Sequence, residues 1–196
     1  MLQKPLIYVS RITNLSDARY CAGMGVDMIG FVIDPNDADY VSPSLFQEIM
    51  GWISGPKKVI QIPEISHLDF EKIVNDYMPD ILSVSATTIM HADLPALPLI
   101  LELAISDLGS YKALESKMKS KIVYLLISVP ANSSTIPTLA LEDHPFLLSL
   151  DHDQVQVVEL LHHTGAQGFS LQGSRELSPG LKDYDHLSRI LEELEG

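Results

Sequence analysis

Along the 196-residue chain, short apolar runs alternate with stretches of helical period from one end to the other. The strand candidates are "LIYVS", "DMIGFVI", "KKVIQI", "DILSVS", "LPLILEL", "KIVYLLIS", "PFLLSL" and "GFSLQG". Most are continuously apolar and rich in Ile, Val and Leu, as strands covered on both faces should be. Between them, Phe70, Ile73, Val74 and Tyr77 fall at i, i+3, i+4 and i+7, and so do Leu187, Ile190, Leu191 and Leu194. Each set predicts a helix with one apolar stripe against a sheet. Helix starts are signalled by Asn14 with Asp17 in the first turn, by Ser42–Pro43, and by Asp151 or Asp153 ahead of "QVQVVELL", which Gly165 then closes.

Strands that alternate strictly with helices pair in parallel through right-handed crossovers. Eight such strands predict an α/β fold, a compact (β/α)8 TIM barrel, in one domain spanning 1–196; the type usually needs about 250 residues. An open doubly wound sheet is the alternative. The fourth and sixth units are the shortest, since "ATTIMHADLP" and "STIPTLALEDH" leave room for a turn or two of helix.

Composition narrows the partners. A formal charge of −13 argues against nucleic acid and anionic membranes, whose phosphates call for clustered Lys and Arg. A small anionic ligand is still compatible, because a local site can oppose the net field. The single cysteine, Cys21, allows no intrachain disulfide and fits a reducing compartment. It shares a helix face with Ala18 and Ala22, so a buried, inert thiol is expected. No apolar run approaches the roughly 18 residues of a membrane span, and the apolar part of "MLQKPLIYVS" is too short for a signal peptide. A cytoplasmic protein is the expectation, with no cofactor and no metal.

In a barrel of this kind the chemistry sits at the C-terminal ends of the strands. The residues there are Ser10 and Arg11, Asp34 to Asp39, Pro63 and Glu64, Ser83 and Ser85, Glu102, Ser128, Asp151, and Gly173 to Glu176. His144, Asp151, His152 and Asp153 suggest a metal site, but a strand separates His144 from the others by about 20 Å at roughly 3.3 Å per residue. His162 and His163 fall in the last turn of a helix, where cations are favoured.

Two segments resemble the phosphoribosylanthranilate isomerase family of tryptophan biosynthesis. "ITNLSDARYCAGMGVDMIGFVIDP…YVSP" is similar to the family's first two βα units, and "SRELSPGLKDYDHLSRIL" to its last strand-to-helix passage. The resemblance implies an Amadori rearrangement, in which a general acid opens an aminoaldose ring and a general base removes the C2 proton. It also implies a phosphate site at the ends of strands seven and eight.

Residue by residue, the chain departs from that pattern. The family's base is a cysteine in a Lys-Ile-Cys-Gly run; here "YVSR" puts Ser10 in its place and Arg11 in the glycine's. The family's acid is an aspartate in a Leu-Leu-Asp run; "YLLIS" puts Ile127 there. An anthranilate-binding arginine is replaced by Asp39, a histidine after strand four by Ser85, and the glycine pair after strand seven by "SLDHD". "LQGSRE" keeps Gly173 and Ser174 and adds Arg175, so an anion site built from the Gly173 and Ser174 amides and Arg175 is expected. Arg11 either joins that ligand site or pairs with Asp39 or Asp34 and plugs the mouth.

Three functions stay open on this basis. One is a family barrel that has lost its chemistry and keeps a small phosphorylated or other anionic ligand. The second is a working isomerase with substitute groups, with Glu102 as its base. The third is a scaffold whose acidic rim (Asp34, Asp37, Asp39, Asp151, Asp153) docks a basic protein partner. The oligomeric state is not legible.

Overall fold

The computed structural model describes residues 4–62, 68–91, 93–114, 116–128, 141, 144–150, 157–173, 176–178, 181–182 and 188. Its elements run β1 Leu6–Ser10, α1 Leu15–Gly23, β2 Met28–Val32, α2 Pro43–Met50, β3 Lys57–Gln61, α3 Phe70–Tyr77, β4 Ile81–Ser85 and α4 Ala86–His91. They continue with β5 Leu99–Ala104, a 3-10 turn Ile105–Asp107, α5 Leu108–Ala113, α6 Ser116–Lys119, β6 Ile122–Ser128, β7 Phe146–Ser149, α7 Val157–Thr164 and β8 Gly168–Gln172. The eight strands pair in parallel in chain order, and β8 closes on β1 through Tyr8↔Ser170 and Ser10↔Gln172. The fold is the (β/α)8 barrel, and closure removes the open-sheet alternative.

Successive strand residues point to opposite faces, so the sheet separates two apolar layers. Tyr8, Met28, Val59, Ile81, Ile100, Leu126 and Leu147 fill the barrel's interior. Ile7, Val9, Ile29, Phe31, Leu125 and Ile127 belong to the outer layer, under the helices. There Phe46 of α2 meets Phe31 and Tyr77 edge-on at 5.0 and 5.2 Å. Cys21 is buried in this layer, as its helix face implied.

The helix ends follow their sequence signals. Asp17 N–H donates to Asn14 Oδ1 at 3.0 Å and Leu45 N–H to Ser42 Oγ at 3.3 Å, which satisfies first-turn donors that the helix itself leaves unpaired. Gly165 ends α7 at φ +79, with its N–H on Leu161 O. The fourth unit is as short as expected, since α4 follows Ser85 directly, whereas most of the sixth connection lies outside the described residues. One feature was not expected. After β8 the chain forms a small antiparallel pair, β9 Glu176–Ser178 with β10 Leu181–Lys182, ahead of the final segment. The expected helix over 187–194 lies outside the described residues, Ser188 apart.

Candidate active site at the barrel mouth

Two-residue steps from the apolar interior lead towards the strands' C-terminal ends. Tyr8 leads to Ser10, Val59 to Gln61, Ile81 to Ser83 and Ser85, Ile100 to Glu102, Leu126 to Ser128, and Leu147 to Ser149. The pairings Ser85↔Glu102, Glu102↔Leu126 and Ser128↔Ser149 keep these positions on the inner face. The interior therefore changes from aliphatic to hydroxyl, amide and carboxylate as it nears the mouth. Among the described residues Glu102 is the one carboxylate on an inward strand position.

Ser10, the residue in the base's place, is buried, and its hydroxyl donates to Leu171 O at 3.2 Å. Ile127 does not reach the mouth. It is fully buried in the outer layer, and the side chain on the inner face at the end of β6 is the exposed Ser128, whose hydroxyl donates to Leu103 O at 3.4 Å. The position that the resemblance gives to the acid therefore faces the helices, and its neighbour Ser128 faces the mouth. The cause is the strict alternation of faces along a strand. Ser85 accepts from Thr88 N–H at 3.1 Å and so fastens the start of α4.

Arg11 sits at φ +59, the left-handed region that suits glycine, in the place where the resemblance puts a glycine. Three interactions hold it there. Its N–H donates to Gln61 Oε1 at 3.1 Å, Nε to Asp39 Oδ2 at 2.6 Å and Nη2 to Asp37 Oδ1 at 2.6 Å. Burial alone would lower the guanidinium's pKa, but the two carboxylates outweigh it and raise it. Of the two expected partners, Asp39 is confirmed and Asp34 is not. Asp34 Oδ1 instead accepts from Asn36 N–H at 2.9 Å and Nδ2 at 3.1 Å. Arg11 thus offsets two of the acidic charges on the rim.

Gly173 lies where a Cβ would come within 3.0 Å of Arg11 O, so glycine lets the end of β8 close against β1. Its N–H donates to Ser10 O at 2.7 Å. That donor was expected to face an anion; it is committed to the backbone instead. Ser174 and Arg175 lie outside the described residues, as do Pro63, Glu64, Asp151, His152 and Asp153. His144 is structural, with Nδ1 2.6 Å from Tyr111 Oη and Nε2 2.9 Å from Lys119 O. His162 and His163 are exposed at the end of α7. Among the described residues no three His, Cys, Asp or Glu side chains are grouped to hold a metal, and no helix is long and apolar enough to cross a membrane.

The deeper part of the mouth holds a group that sequence reasoning missed. Ser83 Oγ donates to Glu102 Oε1 at 2.6 Å. Below them the Tyr8 hydroxyl is fully buried and has no hydrogen-bond partner among the described residues. Burial first, and the nearby Glu102 charge second, push its pKa well up, against the lowering influence of the neighbouring Ser83 hydroxyl. The two-residue step back from Ser10 would have located Tyr8.

A closed parallel (β/α)8 barrel with its polar groups gathered at the strands' C-terminal mouth defines the class, that of the TIM barrels. No family model matches the chain. It is 25% identical to the N-(5'-phosphoribosyl)anthranilate isomerase of Agrobacterium fabrum, across 96% of this chain and 94% of that protein. The solved phosphoribosylanthranilate isomerase of Thermotoga maritima superposes with a TM-score of 0.69 at 16% identity, covering 98% of this chain and 99% of that one. Its counterpart from Thermus thermophilus gives 0.68 at 14% identity, covering 97% and 98%. A further structure of such an enzyme, in complex with reduced 1-(o-carboxyphenylamino)-1-deoxyribulose 5-phosphate, gives 0.72 at 16% identity, covering 98% and 99%. In sequence and in fold the chain is thus similar to phosphoribosylanthranilate isomerases.

Proposed function

We propose that this barrel binds a small phosphorylated ligand at its mouth and no longer carries out the family's Amadori rearrangement at an enzymatic rate. One observation carries this. The place of the family's proton acceptor holds Ser10 and that of its donor holds Ile127, which faces the helices; the hydroxyls of Ser10 and of the inward neighbour Ser128 both donate to backbone carbonyls. An unactivated serine is a poor proton acceptor near neutral pH. A positioned acid or base contributes roughly 10²- to 10⁴-fold each, so losing both costs on the order of 10⁴- to 10⁸-fold. The complex of a similar barrel with a phosphorylated ligand supports the binding half. Arg175, two residues after Gly173 in sequence, is the cation that would meet the phosphate. Cys21, a buried free thiol, is compatible with a cytoplasmic setting.

A second function, an isomerase with Glu102 as base, is favoured by the carboxylate's inward position and its bond to Ser83. One pair of experiments separates the two. Purified protein is assayed with phosphoribosylanthranilate, and its gene is tested for rescue of a tryptophan auxotroph lacking the isomerase. Neither turnover nor rescue is expected. A pentose 5-phosphate should raise the melting temperature where salt of matched ionic strength does not, and Arg175→Ala should remove that rise. Ordinary turnover that Glu102→Gln abolishes would replace this proposal with the second.

A further inference from the structure

Neither function above uses the buried phenol of Tyr8. Its side chain rises from β1 into the barrel and lies over Gly30 of β2, so closely that a Cβ at position 30 would overlap the hydroxyl and come within 2.9 Å of the ring. Phenylalanine would fill the same interior space without burying an orphaned hydroxyl, and buried polar groups are normally paired. Tyr8 Oη is nonetheless without a partner among the described residues. On the strand across the barrel, Ser83 supplies one hydrogen bond to Glu102, at Oε1. An ionised carboxylate has about four acceptor sites, so others stay open. Glu102 is partly exposed at the mouth, and the Tyr8 hydroxyl lies fully buried beneath it.

We infer that Tyr8 and Glu102 form a subsite for a hydroxyl group of a polyhydroxylated ligand. A hydroxyl both accepts and donates. Its oxygen takes the Tyr8 proton and its own proton goes to the Glu102 carboxylate, which completes both residues at once. The phenol stays protonated at any working pH, since burial and Glu102 hold its pKa up. The ligand that fits is a sugar or sugar-derived chain. Its identification as a sugar phosphate rests on the phosphate binding proposed above.

Calorimetric titration with ribulose 5-phosphate, inorganic phosphate and ribitol separates the two proposals. The intact protein should bind ribulose 5-phosphate more tightly than inorganic phosphate. Tyr8→Phe should weaken ribulose 5-phosphate by about 3- to 10-fold, as expected for one hydrogen bond, and leave inorganic phosphate unchanged. Glu102→Gln should do the same, as an independent variant. The melting temperature of ligand-free Tyr8→Phe should not fall, because the hydroxyl it removes has no hydrogen-bond partner among the described residues. Ribitol binding as tightly as ribulose 5-phosphate, with inorganic phosphate inert, would support the hydroxyl subsite and refute the phosphate site. Unchanged ribulose 5-phosphate affinity in both variants would overturn the subsite while leaving phosphate binding standing. So would a lowered melting temperature in ligand-free Tyr8→Phe, which would show that the phenol serves the fold.

Discussion

Arg11 Nε holds Asp39 Oδ2 at 2.6 Å across the first loop of the barrel mouth, from a backbone position at φ +59. The same guanidinium holds Asp37. A left-handed residue other than glycine costs roughly 1–2 kcal/mol, and partly exposed ion pairs return about 0.2–1 kcal/mol each. The two effects are similar in size. Arg11→Gly should therefore leave stability within about 1 kcal/mol of the parent, because it loses the ion pairs and relieves the backbone. Arg11→Ala loses the same pairs and keeps the strain, so it should be about 1 kcal/mol less stable than Arg11→Gly. Urea denaturation at low salt measures the order, and an alanine variant as stable as the glycine one would refute the strain.

The end of β6 supports a sharper prediction. Ile127→Asp would place a carboxylate in the apolar layer under the helices and should leave the protein largely insoluble or unfolded. Ser128→Asp, one residue on, faces the mouth and should be tolerated within about 1 kcal/mol. With Ser10→Cys added, the mouth regains an acid and a thiol base. Phosphoribosylanthranilate turnover should then rise above that of either single variant. Comparing soluble yields of the two aspartate variants tests the register without any enzyme assay.

That pair of residues also shows where the sequence stops being legible. All eight strands could be read because both faces of a barrel strand are buried and apolar runs mark them. The same continuity hides which side chains point inward, since "YLLIS" contains no polar alternation until its last residue. Hence the run itself does not show that Ile127, the position the resemblance gives to the acid, faces the helices while Ser128 faces inward. Arg11 and Asp39 could be paired from charge alone. Asp37 was missed as the second partner because only the loop's turn, with Asp34 bonded to Asn36, shows which carboxylate is left facing the guanidinium. The β9–β10 pair carried a turn signal, Pro179–Gly180, but its strands are too short for a periodicity to register.

Gly30 gives a packing test. The Tyr8 ring occupies the space a side chain at position 30 would need. Gly30→Ala should cost about 1–3 kcal/mol, the usual range for overpacking a well-filled interior. Tyr8→Phe will not relieve it, because the ring atoms collide as well as the hydroxyl. Tyr8→Leu should recover part of the loss, so the double mutant ought to be more stable than the sum of the two single changes predicts. Strict additivity in denaturation free energies would mean the two side chains do not share that space.

Cys21 sets an alkaline limit on stability. Burial chiefly, with the Asp17 charge adding to it, raises the thiol pKa from 9.0 to about 12. In the unfolded chain the thiol ionises near 9 while the folded chain keeps it neutral, so above pH 9 the unfolded state has lost a proton that the native state still holds. Stability from this group is therefore complete below pH 9 and falls as pH rises towards 12, by up to about 1.4 kcal/mol per pH unit. The buried phenols of Tyr8 and Tyr77 are shifted in the same direction and add to the trend at higher pH. Cys21→Ala will lower stability at every pH by leaving a small cavity, so the informative quantity is the slope and not the level. Between pH 9 and 10.5 the loss of unfolding free energy with pH should be shallower in Cys21→Ala than in the parent. Iodoacetamide should label the parent's thiol no faster than the protein opens. Equal slopes, or rapid labelling of the native protein at pH 8, would place the thiol in contact with solvent and refute its burial.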